Sequence, residues 1–282
     1  MTFVEKAYIL LESSFMLCKT IFLLEENIML GNIKKIIYSE IKDYQAILRN
    51  VPSMVFAVFV VSVILMNLLS NKELYRSDYI CINTGLALSW ISFLCMDCIC
   101  KRFGGRAAIK INIVAMLINV IVAVVFYLLM LFPGKWAAMY AANDVATEQA
   151  INDALNATFA GTWYVVAGSA FAMFVSGVVN AVVNIKIGKM IDNGTYKGFA
   201  VRSFVSTAVA QWVDNFVFSA LVSHIFFQWN WMQVLICATT SMILELGMEV
   251  IFSPIGYKIA KRWERDNVGQ DYIEFEEGKH AA

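Results

Sequence analysis

Proline is almost missing from this chain, with three in 282 residues, and histidine occurs only twice. So little proline leaves long helices uninterrupted. His224 and His280 sit at a helix end and in the tail, too far apart in sequence to suggest a metal or relay site. Charge is scarce as well: 16% of the residues are charged and the net charge is zero, where soluble domains carry about 25% charged residues. That composition gives no basic surface for nucleic acid. No GxxxxGKS/T loop, kinase-like glycine loop or HExxH is present, so ATP hydrolysis by this chain is not expected. The one CxxC, Cys95 to Cys98, has no second CxxC or nearby histidine, so no metal and no cofactor is expected. The six cysteines read as small apolar packing groups.

What the chain does have is apolar length. Hydrophobic residues make up 60% and mean hydropathy is +0.65. A membrane-crossing helix needs about 20 mainly apolar residues, and six stretches qualify: 52–70, 79–100, 109–132, 162–187, 199–223 and 230–254. Their continuous rather than alternating hydrophobicity excludes a β-barrel. Lys101, Arg102, Arg106 and Lys110 follow the second stretch, Lys186, Lys189 and Lys197 the fourth, and Lys258, Lys261, Arg262 and Arg265 the sixth. The loop after the third is acidic, with Asp144, Glu148 and Asp153. Basic residues stay on the cytoplasmic side, so the expected architecture is an all-α polytopic membrane protein with six transmembrane helices and both termini cytoplasmic.

Three regions follow from this pattern. Residues 1–50 read as a cytoplasmic extension, in which 33–50 form a basic amphipathic helix on the leaflet surface. Its upstream part, 7–30, is apolar but broken by Glu12, Lys19, Glu25 and Glu26, and Met29 could be the true start. Residues 51–265 form the transmembrane domain and 266–282 a cytoplasmic tail. The loop at 134–160 is a solvated connector or a lid, with a short surface helix over 144–155.

Polar residues at membrane depth are costly and mark sites or partners. In the fifth stretch Gln211 lies three residues before Asp214 and four before Asn215, which puts them on one helix face. Glu245 and Glu249 lie one turn apart in the sixth. The fourth carries a stripe at four-residue spacing, Gly168, Ala172, Ser176, Asn180, Asn184 and Gly188. Small residues at that spacing permit close helix approach, in the core or in a homodimer. Asp97 in the second stretch has Lys101 one turn on, a structural pair or a site.

Several segments together resemble the queuosine precursor transporter family, also called the vitamin uptake transporter (VUT) family. They are Asn67-Leu68-Leu69-Ser70-Asn71-Lys72, Met96-Asp97 followed by Phe103-Gly104, the run from Arg202 to Phe218 with its Arg, Ser, Gln-x-x-Asp and Phe, and Ser253-Pro254-Ile255-Gly256-Tyr257. The resemblance covers 52–265. It implies a six-helix inner-membrane importer of 7-deazaguanine bases such as preQ0, preQ1 or queuine, for tRNA modification, and not an enzyme. Carried over by position, it points to Asn67, Asp97, Arg202, Ser206, Gln211 and Asp214. Lys101 and Glu245 depart from it, since relatives carry an acidic and a basic residue there. A deazaguanine presents N–H donors, an O6 acceptor and a π-face. Asp214 or Glu245 would then take the donor edge, Gln211 or Asn180 would meet O6, and Trp90 or Phe218 would stack, with Glu249 beside them. The competing expectations are the substrate-binding subunit of an ATP-driven vitamin importer and a membrane enzyme or scaffold. Against the first, the Ala-x-x-x-Ala docking motif is absent, since Ala57 is followed by Val61. Against the second, no nucleophile, metal set or phosphate loop is present.

Overall fold

The apolar runs become helices because nothing in them competes for the backbone, and helix is the only open-chain form that satisfies every N–H and C=O in lipid. A computed structural model describes residues 34–35, 37–78, 80–136, 144–190 and 196–281, with the backbone alone at 181, 184–185, 188–190, 196–204, 253 and 280–281. The stretch 7–30, with Met29, lies outside the described residues, as do residues 137–143 of the loop. The chain divides into two compact units, 1–50 with 271–282, and 51–270.

The larger unit holds α2 (Ser53–Leu69), a hairpin of β1 (Glu73–Arg76) and β2 (Cys81–Asn83), then α3 (Leu86–Phe103), α4 (Gly105–Met130), α5 (Val145–Met190), α6 (Tyr196–Phe218), a π-helical segment (Ser219–His224), α7 (Ile225–Phe227) and α8 (Trp231–Arg265). Helix α5 packs on α4 and α6, α3 on α2 and α8, and α6 on α8. Helix α4 shows how sequence chooses faces. Ala107, Ala108, Ile111, Ala115, Asn119 and Ala123 are buried, while Ile109, Ile113, Leu117, Ile121, Val124 and Leu128 are exposed. Small residues face inward, where helices touch, and large aliphatics face outward, as lipid-facing helices do.

Among the described residues, four helices are long and apolar enough to cross a membrane: Gly105–Met130, Val145–Asn180, Val205–Phe227 and Trp231–Phe252. A fifth is reached if Ile37–Asn50 and Ser53–Leu69 count as one broken span. Among the described residues the fold is all-α apart from one small hairpin.

The boundaries differ from expectation in four places. The second stretch starts helical only at Leu86, because Cys81–Asn83 pairs with β1, Asn83 Oδ1 accepts from the Leu86 N–H at 3.0 Å, and Gly85 lies against the Met66 carbonyl. A Cβ on Gly85 would stand 2.4 Å from that oxygen. The short surface helix expected over 144–155 is instead the first part of one 46-residue helix. No proline stands between Val145 and Met190, and Asp144 caps the start by accepting from the Thr147 N–H and hydroxyl at 2.9 and 2.5 Å. The sixth stretch runs through Pro254 to Arg265. The fifth changes to π-helix at Ser219.

In the smaller unit, α1 (Ile37–Asn50) and α9 (Gln270–Ala281) are joined by Lys279, which donates to Asp43 and to Glu276. Burial pulls the Lys279 ammonium down, but its two carboxylate partners outweigh that and raise it. Ile47 and Tyr272 are fully buried, while Ile37, Tyr38, Ile41 and Leu48 stay exposed. Helix α1 thus keeps an apolar face uncovered, as an interfacial helix does.

Candidate transport cavity

Six polar positions that the sequence places on α5, α6 and α8 come together, four of them in an antiparallel ladder. Asn215 Nδ2 donates to Glu245 Oε2 at 2.7 Å, and one turn earlier on α6 Gln211 Nε2 donates to Glu249 Oε2 at 3.2 Å. The four-residue spacing on each helix makes this register possible: 211 and 215 run one way, 249 and 245 the other. Asn215 Nδ2 also donates to the Gln211 carbonyl at 3.0 Å, which fixes the amide plane. From α5, the Ser176 hydroxyl donates to Asp214 Oδ1 at 2.8 Å.

Above this ladder lies a cavity of about 190 Å³. Its inner wall is Asp214, Asn215, Phe218 and Glu245, its opposite wall Met66, Asn67, Leu86 and Ser89, and its mouth Glu73, Cys81, Asn83, Phe227 and Trp229. Hydroxyls dominate the remainder: Ser70, Ser169, Ser219, Ser223 and Ser241. Five of the chain's six expected helical stretches contribute, and the hairpin closes one side.

The π-helical segment explains two of those serines. Inserting an extra residue per turn puts Ser219, Val222 and Ser223 all among the cavity's lining residues, and such segments recur at functional sites. At the same end, Tyr164 donates to Asn71 Oδ1 at 2.9 Å and stacks on Phe226 with centroids 4.4 Å apart.

Of the positions singled out in the sequence, Asn67, Asp214, Phe218 and Glu245 line the cavity. Gln211 and Glu249 form the next rung below it, with Gln211 Oε1 buried and without a partner among the described residues. Trp90 lies elsewhere, its ring stacked on Phe252 at 4.3 Å. The Asp97 carboxylate lies 3.7 Å from the Lys101 ammonium, both partly exposed. Asn180 Oδ1 is buried and unpartnered among the described residues but does not line the cavity. Ser206 is buried on α6 below the ladder, and the Arg202 side chain lies outside the described residues. Trp212 donates from Nε1 to the Thr239 hydroxyl at 3.1 Å and stacks on Phe216.

Sequence reasoning missed Asn215 as a site residue, although its spacing from Gln211 was the signal. It also missed the hairpin and the serines, which carry no signal until the helices are assembled. The first half of the small-residue stripe of α5 turns inward: Ala172 is buried, and Gly168 and Ser176 pack against Val222 and Asp214. Among the described residues, no three His, Cys, Asp or Glu stand close enough to share a metal ion.

The cavity is thus enclosed by helices and floored by paired carboxylates and amides. The family model described as "Putative vitamin uptake transporter" matches residues 83–259, which include α3 to α6 and the membrane part of α8. The chain belongs to this family. No curated protein and no solved structure matches the chain. Family membership makes the chain a transporter-type membrane protein, and the match includes Asp214, Asn215, Phe218 and Glu245, while Asn67 and Glu73 lie upstream of it.

Proposed function

We propose that this protein imports a queuosine precursor, a 7-deazaguanine base, across the cytoplasmic (inner) membrane, as a solitary carrier with six spans and both termini cytoplasmic. The single observation that carries the substrate class is the chemistry of the cavity. Asp214 and Glu245 offer carboxylate acceptors to the N1 and 2-amino donors, Asn67 or a wall serine meets O6, and Phe218 offers a ring face. The size agrees. About 190 Å³ falls below the ~300 Å³ at which pockets for drug-sized ligands begin, which favours a free base over a nucleoside or a larger vitamin.

Two contacts support the even number of spans. Asp43 and Lys279 join the first and last described helices, which favours one side of the bilayer for both. Arg102, at the end of α3, donates to the Val268 carbonyl at 2.8 Å and to Gln270 Oε1 at 3.3 Å, which brings two basic ends together.

The test is uptake of labelled preQ1, and separately of queuine, by cells that lack their own precursor synthesis and transport and express this chain. Queuosine restored in tRNA, and lost with Asp214→Asn at equal membrane level, is the expected result. No rescue by any deazaguanine despite confirmed expression would refute the substrate class. Co-purification of an ATPase would refute the solitary carrier.

A further inference from the structure

Helix α1 carries three faces. Asp43 and Ile47, one turn apart, form the buried one, and Asp43 is bonded there to Lys279 of α9. Ile37, Ile41 and Leu48 form the second, 52%, 48% and 39% exposed, with Tyr44 half-buried among them. At about 100° per residue these four fall within roughly 60° of the helix circumference. The exposed surface is thus a continuous apolar strip, not a scatter of single residues.

The third face is basic. Lys42 and Arg49 lie two turns apart, and Lys35, also helical, stands two turns before Lys42. All three are exposed, on a line roughly 130° round from the apolar strip. Tyr38 marks the boundary between strip and row: it is exposed, and the Lys42 ammonium stands 4.6 Å from its ring centroid. Lys35, Lys42 and Arg49 have no carboxylate partner among the described residues, whereas Lys279 in the same unit has two. Glu40 lies on the side of the helix opposite the row, and Asp43 on the buried face.

This order of faces matches the layers of a bilayer surface. Water leaves the apolar strip unburied, and a spanning position would put the whole basic row in hydrocarbon. A helix lying in the interface meets both demands. Its strip enters the acyl boundary, Tyr38 lies at headgroup level and the row stands level with the phosphates. Unpaired positive charge at that level complements an anionic headgroup better than a zwitterionic one. We infer that α1 is a docking helix for anionic phospholipid, seated by Ile37, Ile41 and Leu48 and made charge-selective by Lys35, Lys42 and Arg49. The docking is independent of which solute the protein carries.

The full chain, reconstituted in phosphatidylcholine nanodiscs with about one phosphatidylglycerol in ten, provides the test. A photoreactive benzophenone amino acid replaces Ile41 on the strip, Ser39 on the far side of α1, or Leu117, which faces outward from α4. Lipid adducts are then identified by mass spectrometry. Ile41 and Leu117 should trap lipid, and Ser39 should not. The odds of phosphatidylglycerol over phosphatidylcholine should be about fivefold higher at Ile41 than at Leu117, the factor for one basic residue at the membrane surface. With Lys35→Gln, Lys42→Gln and Arg49→Gln combined, at an unchanged thermal midpoint, the two positions should give equal odds. Lys42→Gln alone should lower the Ile41 odds, and it decides the matter if the triple variant does not fold. Lipid absent from Ile41, or trapped equally at Ser39, overturns the docking helix. So do equal odds at Ile41 and Leu117 in the unaltered chain, or an enrichment that survives the substitutions.

Discussion

Replacing Gly168 by alanine probes the joint on which the cavity wall depends. A Cβ added there would stand 2.4 Å from Val222 Cγ2, with Phe218 Cδ2 at 3.9 Å. Carbon atoms rest at about 3.5–4.0 Å, so one atom must move by roughly 1 Å. Val222 has little freedom to do so. It is 1% exposed, sits within the π-helical segment, and its branched Cβ restricts χ1. Overpacking of this kind costs about 1–3 kcal/mol. Glycine-to-alanine also gains up to about 1 kcal/mol of helix propensity, which would blur the result on its own. Gly247 supplies the control: it lies in α8 with nothing within 4 Å of an added Cβ, so Gly247→Ala takes the propensity gain without the clash. The difference between the two variants isolates the clash. Thermal unfolding in detergent should place Gly168→Ala below Gly247→Ala by several degrees, at about 2–4 °C per kcal/mol for a chain of roughly this size. Transport should fall with it, since Val222 and Phe218 both line the cavity, whereas Gly247→Ala should transport normally. Equal midpoints for the two variants would refute the close packing of α5 on the π-segment.

Asn215→Ala removes the 2.7 Å bond to Glu245 and should destabilise by about 1.5–3 kcal/mol, the range for a bond to a charged group. In a double-mutant cycle with Glu245→Gln the two losses should be non-additive by at least about 0.5 kcal/mol, and strict additivity would deny the pair. Cys81, at the cavity mouth, has its thiol pushed up to about 12, by burial first and by Glu73 second. Its thiolate is therefore scarce at neutral pH, so maleimide labelling of a variant keeping only this cysteine should be slow at pH 7. The rate should climb about tenfold per pH unit over pH 7–9 and be slowed by bound substrate; a pH-independent rate would contradict the buried placement. Cysteines replacing Asp43 and Lys279, which are bonded in the smaller unit, should be bridged within one chain by a short bifunctional thiol reagent, and failure to do so would separate the two terminal helices.

The membrane class, the segments that become spans and the polar positions on α6 and α8 were legible because burial in lipid filters sequence harshly. A Gln-x-x-Asp or a Glu-x-x-x-Glu in an apolar run has no cheap explanation. Asn215 was nearly legible for the same reason. Trp90 and Asp97 illustrate the limit. Trp90 stacks on Phe252, which lies far from it in sequence, and Asp97 stands near Lys101. Sequence reports which side chains need a partner, but not which partner is near.

From sequence alone come the helices, their apolar faces and the positions that cannot be left unpaired, since these depend on local periodicity and on the transfer cost of single groups. Tertiary structure alone decides that 211 and 215 meet 249 and 245, that the first half of the α5 stripe turns inward, and that hairpin and π-segment serines share a cavity with Asp214. Those facts depend on how helices far apart in sequence are set against one another, and no local free energy encodes that register.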